Sequence, residues 1–278
     1  MEQSSPEFKE YQYPIGKKVL RHIKVAMDWD TPQFRDFLIN IEKHFKPDQA
    51  FHDFRNVLVR IKPNETLGIN NEIVVKKFKL RRKYDQFRFY FLPSKARRSL
   101  EIALTMIRNG LKTPYPVAII EDRGPLNRLT NCYYLTEFLK SDCSFLNVIN
   151  ELDDITKRKI MTEAAQNIRL MHDAGIIHND LHASNILVRN LSNQPELYYI
   201  DLNRARHKKA LSVKIRAKDL GRLALKPQDQ PGFFSSYDSQ NNGHIMAKIH
   251  KAYDRRSRWV KLKHKLRRFK SKFKKRNS

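Results

Sequence analysis

The stretch from Gly175 to Asp201 restricts what this chain can fold into more than any other. It comes after a periodic segment, Asp154 to His172, in which Ile160, Ala164, Ile168 and Met171 recur at helical spacing. Gly175 reads as the left-handed cap that ends this helix. His178, Asp180 and Asn185 come next, in the order His-x-Asp-x-x-x-x-Asn. Two strand-like runs then flank the turn-rich residues 190–196: Ile-Leu-Val at 186–188 and Leu-Tyr-Tyr-Ile at 197–200. A hairpin is the simplest reading, and a hairpin sets the residue before its first strand beside the residue after its second. Those residues are Asn185 and Asp201, an amide and a carboxylate of the kind a hard divalent cation takes.

Upstream, residues 54–62 (FRNVLVRIK) and 72–78 (EIVVKKF) are β-branched runs separated by Pro63, Asn64, Glu65 and Gly68, and read as two antiparallel strands. From Ser94 to Asn109, Leu100, Ala103, Leu104 and Ile107 keep helical spacing, with Ser94 placed to cap the start and Gly110 to end it. Apolar strands are expected at 117–120 and 133–138, and residues 139–142 read as a connector. The expected division is an N-terminal extension at 1–50, a β-rich nucleotide-binding lobe at 51–139, a catalytic lobe at 140–247 and a basic tail at 248–278.

Composition narrows the class. A chain of 278 residues, 40% of them hydrophobic, can bury the core of one large domain or two small lobes. No run of about 18 apolar residues occurs, and the opening MEQSSPEFKEYQYP lacks the layout of a signal peptide, so a cytosolic location is expected. Cys132 and Cys143, with no CxxC and no His/Cys cluster, support neither a disulfide framework nor a zinc site and are expected to be buried, inert thiols.

The His-x-Asp-x-x-x-x-Asn run, with a second Asp after two strands, matches the catalytic-loop and metal-binding pattern of the protein-kinase-like fold. Phosphoryl transfer from ATP needs a carboxylate near the acceptor hydroxyl and oxygen ligands for magnesium. Asp180 suits the first role, and Asn185 with Asp201 the second. The transfer also needs a cation on the phosphates, and Lys76 and Lys77 both lie in a strand resembling the V-A-I-K strand. Strand alternation sends them to opposite faces; Lys76, sharing its face with Val74 and Phe78, is the candidate. Glu101, the one acid of the helix from Ser94, is either the partner of Lys76 or a solvated neighbour of Arg97. Glu137 and Leu139, at the junction of strand and connector, are nucleotide-binding candidates. His178 is expected to brace the loop, and His182 to orient it or touch the acceptor.

These segments resemble the lipopolysaccharide core kinase family: VVKKFK at 74–79, SKARRSLEIAL at 94–104, GLKTPYPVAIIE at 110–121, GIIHNDLHASNILV at 175–188 and YYIDLNRAR at 198–206. The resemblance implies ATP as donor, magnesium as cofactor and a Kdo or heptose hydroxyl of a lipid A–core precursor as acceptor, at the inner face of the bacterial inner membrane. Three departures stand out: Leu202-Asn203 in place of Phe-Gly, no G-x-G-x-x-G before Lys76, where Gly68 stands alone, and a displaced helical Glu.

The last tenth of the chain is distinct. From Lys248 to Arg276 there are 15 Lys and Arg against one acid, Asp254, so this segment holds +14 of the formal +26. Trp259, Leu262, Leu266, Phe269 and Phe273 are spaced as one face of a helix, which reads as a cationic amphipathic helix for an anionic membrane surface, with docking on the core and nucleic acid as less favoured partners. Removal of the chain from Lys248 onward is expected to leave the nucleotide site folded. The resulting expectation is an α+β, two-lobed protein-kinase-like fold with ATP between the lobes and a basic amphipathic C-terminal helix, acting as a sugar kinase. The rivals are an aminoglycoside-type phosphotransferase and a catalytically weak adaptor binding anionic lipid or RNA.

Overall fold

The computed structural model describes residues 5–53, 56–80, 89–238, 247–251, 253–255, 258–259 and 262. The chain divides into two compact units, Met1–Ser141 with Tyr198–Arg206, and Asp142–Leu197 with His207–Ser278. No helix among the described residues is long and apolar enough to cross a membrane.

The first unit is built on one antiparallel sheet. Strands β1 (Phe8–Pro14), β2 (Leu20–Ala26), β3 (His52–Asp53), β4 (Asn56–Ile61), β5 (Ile73–Phe78), β6 (Pro116–Gly124) and β7 (Arg128–Glu137) lie in the order β1-β2-β6-β7-β5-β4-β3. Residues 8–26, read from sequence as part of an extension, thus supply one edge of this sheet. Helices α1 (Pro32–Ile39) and α2 (Ile41–His44) bury Phe34, Phe37, Leu38 and Ile41 against Ile23, Val25, Val59, Ile73, Val75 and Leu135. Helix α3 (Lys95–Arg108) starts where the Ser94 hydroxyl accepts from the Arg97 amide at 3.0 Å, and it packs Ala96 and Leu100 on Phe78, Ile119 and Tyr134. The period-2 alternation of β5 therefore serves two different cores, one through Ile73 and Val75, the other through Phe78.

Gly68 is set against the start of helix α1. It closes the turn between β4 and β5 at φ +64°, and a Cβ there would lie 2.6 Å from Thr31 Oγ1 and 2.9 Å from the Phe34 amide. Thr31 is itself the cap of α1, so the glycine lets this turn seat on the start of that helix. Deeper in the unit, the guanidinium of Arg21 is 1% exposed and lies between Asp122, at 2.7 and 2.8 Å, and Glu42, while also donating to the Ile39 carbonyl at 2.5 Å. One side chain from β2 thereby ties β6 to the α1–α2 corner.

The second unit opens with β8 (Cys143–Ser144) and α4 (Phe145–Glu151), whose capping box joins Ser144 and Asn147. Helix α5 (Asp154–Asp173) is capped by Asp153, which accepts from the Ile155 and Thr156 amides. Strands β9 (Ile176–Ile177), β10 (Ile186–Arg189) and β11 (Glu196–Tyr199) come next, then helices α6 (Val213–Leu220) and α7 (Gln230–Tyr237). Strands β11, β10 and β8 form a small sheet in that order, and α5 packs along α7. Gly175, at φ +73°, is required sterically, because a Cβ there would meet the Lys208 carbonyl oxygen at 1.9 Å.

The C-terminal segment begins differently from expectation. Ile249 and Tyr253, one helical turn apart, are 0% and 2% exposed; Tyr253 stacks edge-on against Phe234 at 5.3 Å and donates to the Leu225 carbonyl. These two side chains are therefore part of the core of this unit, and the tail proper starts beyond them. Trp259 and Leu262 are exposed, at 50% and 56%, whereas Leu266, Phe269 and Phe273 lie outside the described residues. Both cysteines are free; burial pushes the Cys132 thiol up to about 12 and raises that of Cys143, so neither is a thiolate at neutral pH.

Candidate active site

In the second unit the loop between β9 and β10 is held from beneath by a residue that is distant in sequence. Asp219, in the last turn of α6 and 1% exposed, accepts from the His178 amide at 2.8 Å through Oδ2 and from the Asn179 amide at 2.9 Å through Oδ1. Burial opposes its charge, but hydrogen bonds from His172 and from these amides keep its carboxyl below the usual aspartate range. His172 in turn contacts the Tyr237 hydroxyl at 2.7 Å, which carries the brace from α6 through α5 to α7. Two amides can converge on one carboxylate because Asn179 adopts the left-handed conformation, φ +61°. Asparagine tolerates that conformation better than most residues.

Asp180 and Asn185 are brought together by the same loop. The Asp180 carbonyl accepts from the His182 amide at 2.6 Å and from the Asn185 side-chain nitrogen at 2.9 Å. With its nitrogen so engaged, Asn185 can offer a ligand only through Oδ1. His178 is fully buried and His182 is exposed. The His182 ring caps the short turn at 183–185, its Nδ1 accepting from the Ser184 amide at 3.3 Å and meeting the Ser184 hydroxyl at 2.8 Å. Arg222, two residues beyond α6, places its guanidinium 3.7 Å from Asp180 Oδ1 and 3.9 Å from Asp219 Oδ1.

In the first unit Lys76 and Asp201 meet, Nζ to Oδ1 at 2.5 Å, across 125 positions of sequence. Lys76 lies on the Phe78 side of β5, 5.4 Å from that ring, whereas Lys77 points the other way, over Tyr133 at 5.1 Å and Phe45 at 6.0 Å. Asp201 has φ +60° and receives a further hydrogen bond from the Asn203 side chain. The short turn Leu202–Arg204 packs against α3, so the residues at the place of Phe-Gly are built into this unit.

Glu101 is an exposed residue of α3 and forms no ion pair among the described residues; Lys76 pairs with Asp201 and Arg97 with Glu121. Glu137 ends β7, its amide donating to the Tyr115 carbonyl at 2.9 Å and its carboxylate accepting from Asn71 at 3.3 Å. Leu139 is half-buried in the connector. Asp219 and Arg222 are not visible as site residues in the sequence because they lie about 40 residues beyond the loop they serve. One signal was available: Asp219 is an acid lying between the apolar residues Ala217 and Leu220, and the structure buries all three.

The donors suit magnesium. Asn185 Oδ1 in the second unit and the Asp201 carboxylate in the first are each hard oxygen donors of the kind this ion takes. Among the described residues no group of three or more His, Cys, Asp or Glu that could hold a metal ion occurs.

Such a carboxylate-and-amide loop, a strand lysine paired with a second aspartate, and a mixed α+β fold define a phosphotransferase of the kinase-like class. Residues 75–253 match the sequence profile of the lipopolysaccharide kinase (Kdo/WaaP) family, and the chain belongs to that family. It is accordingly a lipopolysaccharide kinase, with an alcohol group as phosphoryl acceptor. Among solved structures it is similar to one described as WaaP in complex with acyl carrier protein, with a TM-score of 0.55 and 18% identity over 82% of this chain and 94% of that one; the likeness is one of fold. No curated protein sequence matches the chain.

Proposed function

We propose that the protein transfers the terminal phosphoryl group of ATP to a Kdo or heptose hydroxyl of the lipopolysaccharide inner core, at the inner face of the inner membrane. The observation that carries the reading is the loop at 178–185, anchored by a buried carboxylate and displaying Asp180 and Asn185. Magnesium–ATP supplies the phosphoryl group and screens its charge when bound. Asp180 orients the acceptor hydroxyl and takes its proton as the new P–O bond forms and the bond to ADP breaks. Asn185 and Asp201 would be the ligands for magnesium, and Lys76 would support the phosphates. Glu137 and Leu139 serve the nucleotide base, His178 stiffens the loop and His182 faces the acceptor.

Trp259 and Leu262, exposed and succeeded by a dense basic run, suit an anionic bilayer surface, where each Lys or Arg contributes roughly 1 kcal/mol. The test is incubation of the full chain with magnesium–ATP and lipid A–core acceptors ending in Kdo or in heptose, read by mass spectrometry. One added phosphate on a sugar, formed orders of magnitude more slowly by Asp180→Asn, is expected. ATP turnover that phosphorylates neither sugar but does modify a soluble aminoglycoside would overturn the reading.

A further inference from the structure

We propose that Arg222 is a positioning residue for the Asp180 carboxylate, an inference that rests on the phosphotransfer function proposed for this site. Leu220 and Leu223, 0% and 1% exposed, pin the chain on either side of Arg222, and its amide donates to the Asp219 carbonyl at 3.0 Å. The Arg222 backbone is thus fixed, and its guanidinium, on a side chain 22% exposed, lies near two carboxylates, 3.7 Å from Asp180 Oδ1 and 3.9 Å from Asp219 Oδ1. Asp219 already holds the loop backbone at residues 178 and 179. Arg222 extends that hold to the side chain next in line, so α6 and the turn after it govern both where the Asp180 backbone lies and which way its carboxylate faces.

The residue type fits this task. A planar fork can meet two carboxylates at once, which the single ammonium of lysine does less well. Partly exposed ion pairs add little to stability, so the consequence of this one falls on orientation. Misplacement of a reacting group by about 1 Å can lower a rate about 100-fold.

The experiment uses the full chain, with magnesium–ATP turnover and phosphate transfer to lipid A–core as readouts, in wild type, Arg222→Ala, Arg222→Lys and Asp180→Asn. Arg222→Ala should lower kcat about 10- to 100-fold with KM for ATP within about twofold, and Arg222→Lys should recover part of the loss. In the Asp180→Asn background, Arg222→Ala should change the residual rate less than about twofold, since the group it positions is already gone. A folded Arg222→Ala protein with unchanged kcat, a loss confined to KM for ATP, or a full further loss in the Asp180→Asn background would overturn the proposal. If Arg222→Ala does not fold, Arg222→Lys and Arg222→Gln decide: kcat falling in the order Arg, Lys, Gln supports the proposal, and equal kcat overturns it. A wild-type protein without phosphate transfer counts instead against the phosphotransfer function.

Discussion

A lysine and an aspartate 125 positions apart in the chain carry the sharpest residue-scale test. If Lys76 serves the phosphates as proposed, Lys76→Met should lower kcat/KM for ATP by about 10²–10³, whereas Lys77→Met should change it less than about threefold. Lys77 sits over aromatic rings on the opposite face, so its loss should appear in thermal stability first. This phase could be read from sequence because strand alternation is local; the lysine's partner could not, because that pairing spans nearly half the chain. Asp219 offers a test of the loop itself. Its carboxyl is held below the ordinary value, so its contribution to stability is complete above about pH 3.9 and is lost as pH falls through the folded-state value. Asp219→Asn should cost about 1–3 kcal/mol at pH 7, and the difference from wild type should shrink as chemical unfolding is measured toward about pH 3. A difference that stays constant with pH would mean that the charge of Asp219 plays no part in holding the loop.

Among the elements, the strands and long helices were legible where periodicity was strong. Helix α3 runs over Lys95–Arg108 with Ser94 as its cap, and α5 over Asp154–Asp173, both close to the spacing-based expectation. The strands expected at 117–120 and 133–138 run over 116–124 and 128–137, because the charged Glu121, Asp122 and Arg123, beyond the apolar run, are paired inside the sheet. Strand β1, at the sheet edge, gave little sequence signal, since FKEYQYP has few aliphatic residues; β2 (LRHIKVA), inside the sheet, did carry a short alternation of Ile23 and Val25 about Lys24, which is too brief to stand out beside its charged neighbours. The tail boundary is the clearest displacement: a helix that looks uniformly basic has two buried residues in its first turns. Ending the chain before Lys248 removes Ile249 and Tyr253 from the core and should leave it poorly soluble, since burying Ile249 alone is worth roughly 1.5–3 kcal/mol. Ending it after Arg255 should keep the thermal midpoint and abolish flotation with anionic liposomes. Retention of liposome binding by that shorter chain would assign membrane contact elsewhere. At the other end, Arg21→Met should cost about 3–5 kcal/mol by stranding Asp122, and adding Asp122→Leu should recover much of it.

At the scale of the whole molecule, charge and connectivity are the dominant facts. With +14 of the +26 placed from Lys248 onward, attraction to anionic surfaces is concentrated at one end of the chain, and vesicle binding should weaken steeply between low and high salt. Connectivity has a further effect, on the order in which the protein can be completed during synthesis. The first unit takes its last segment, Tyr198–Arg206, from beyond the first stretch of the second, Asp142–Leu197. When the ribosome has delivered the sheet and α3, the turn that packs on that helix has not been made, and Lys76 has no Asp201 to meet. The first unit therefore stays unfinished until the whole of 142–197 has been translated, and a fragment ending at Ser141 would lack both the turn that packs on α3 and the carboxylate that answers Lys76.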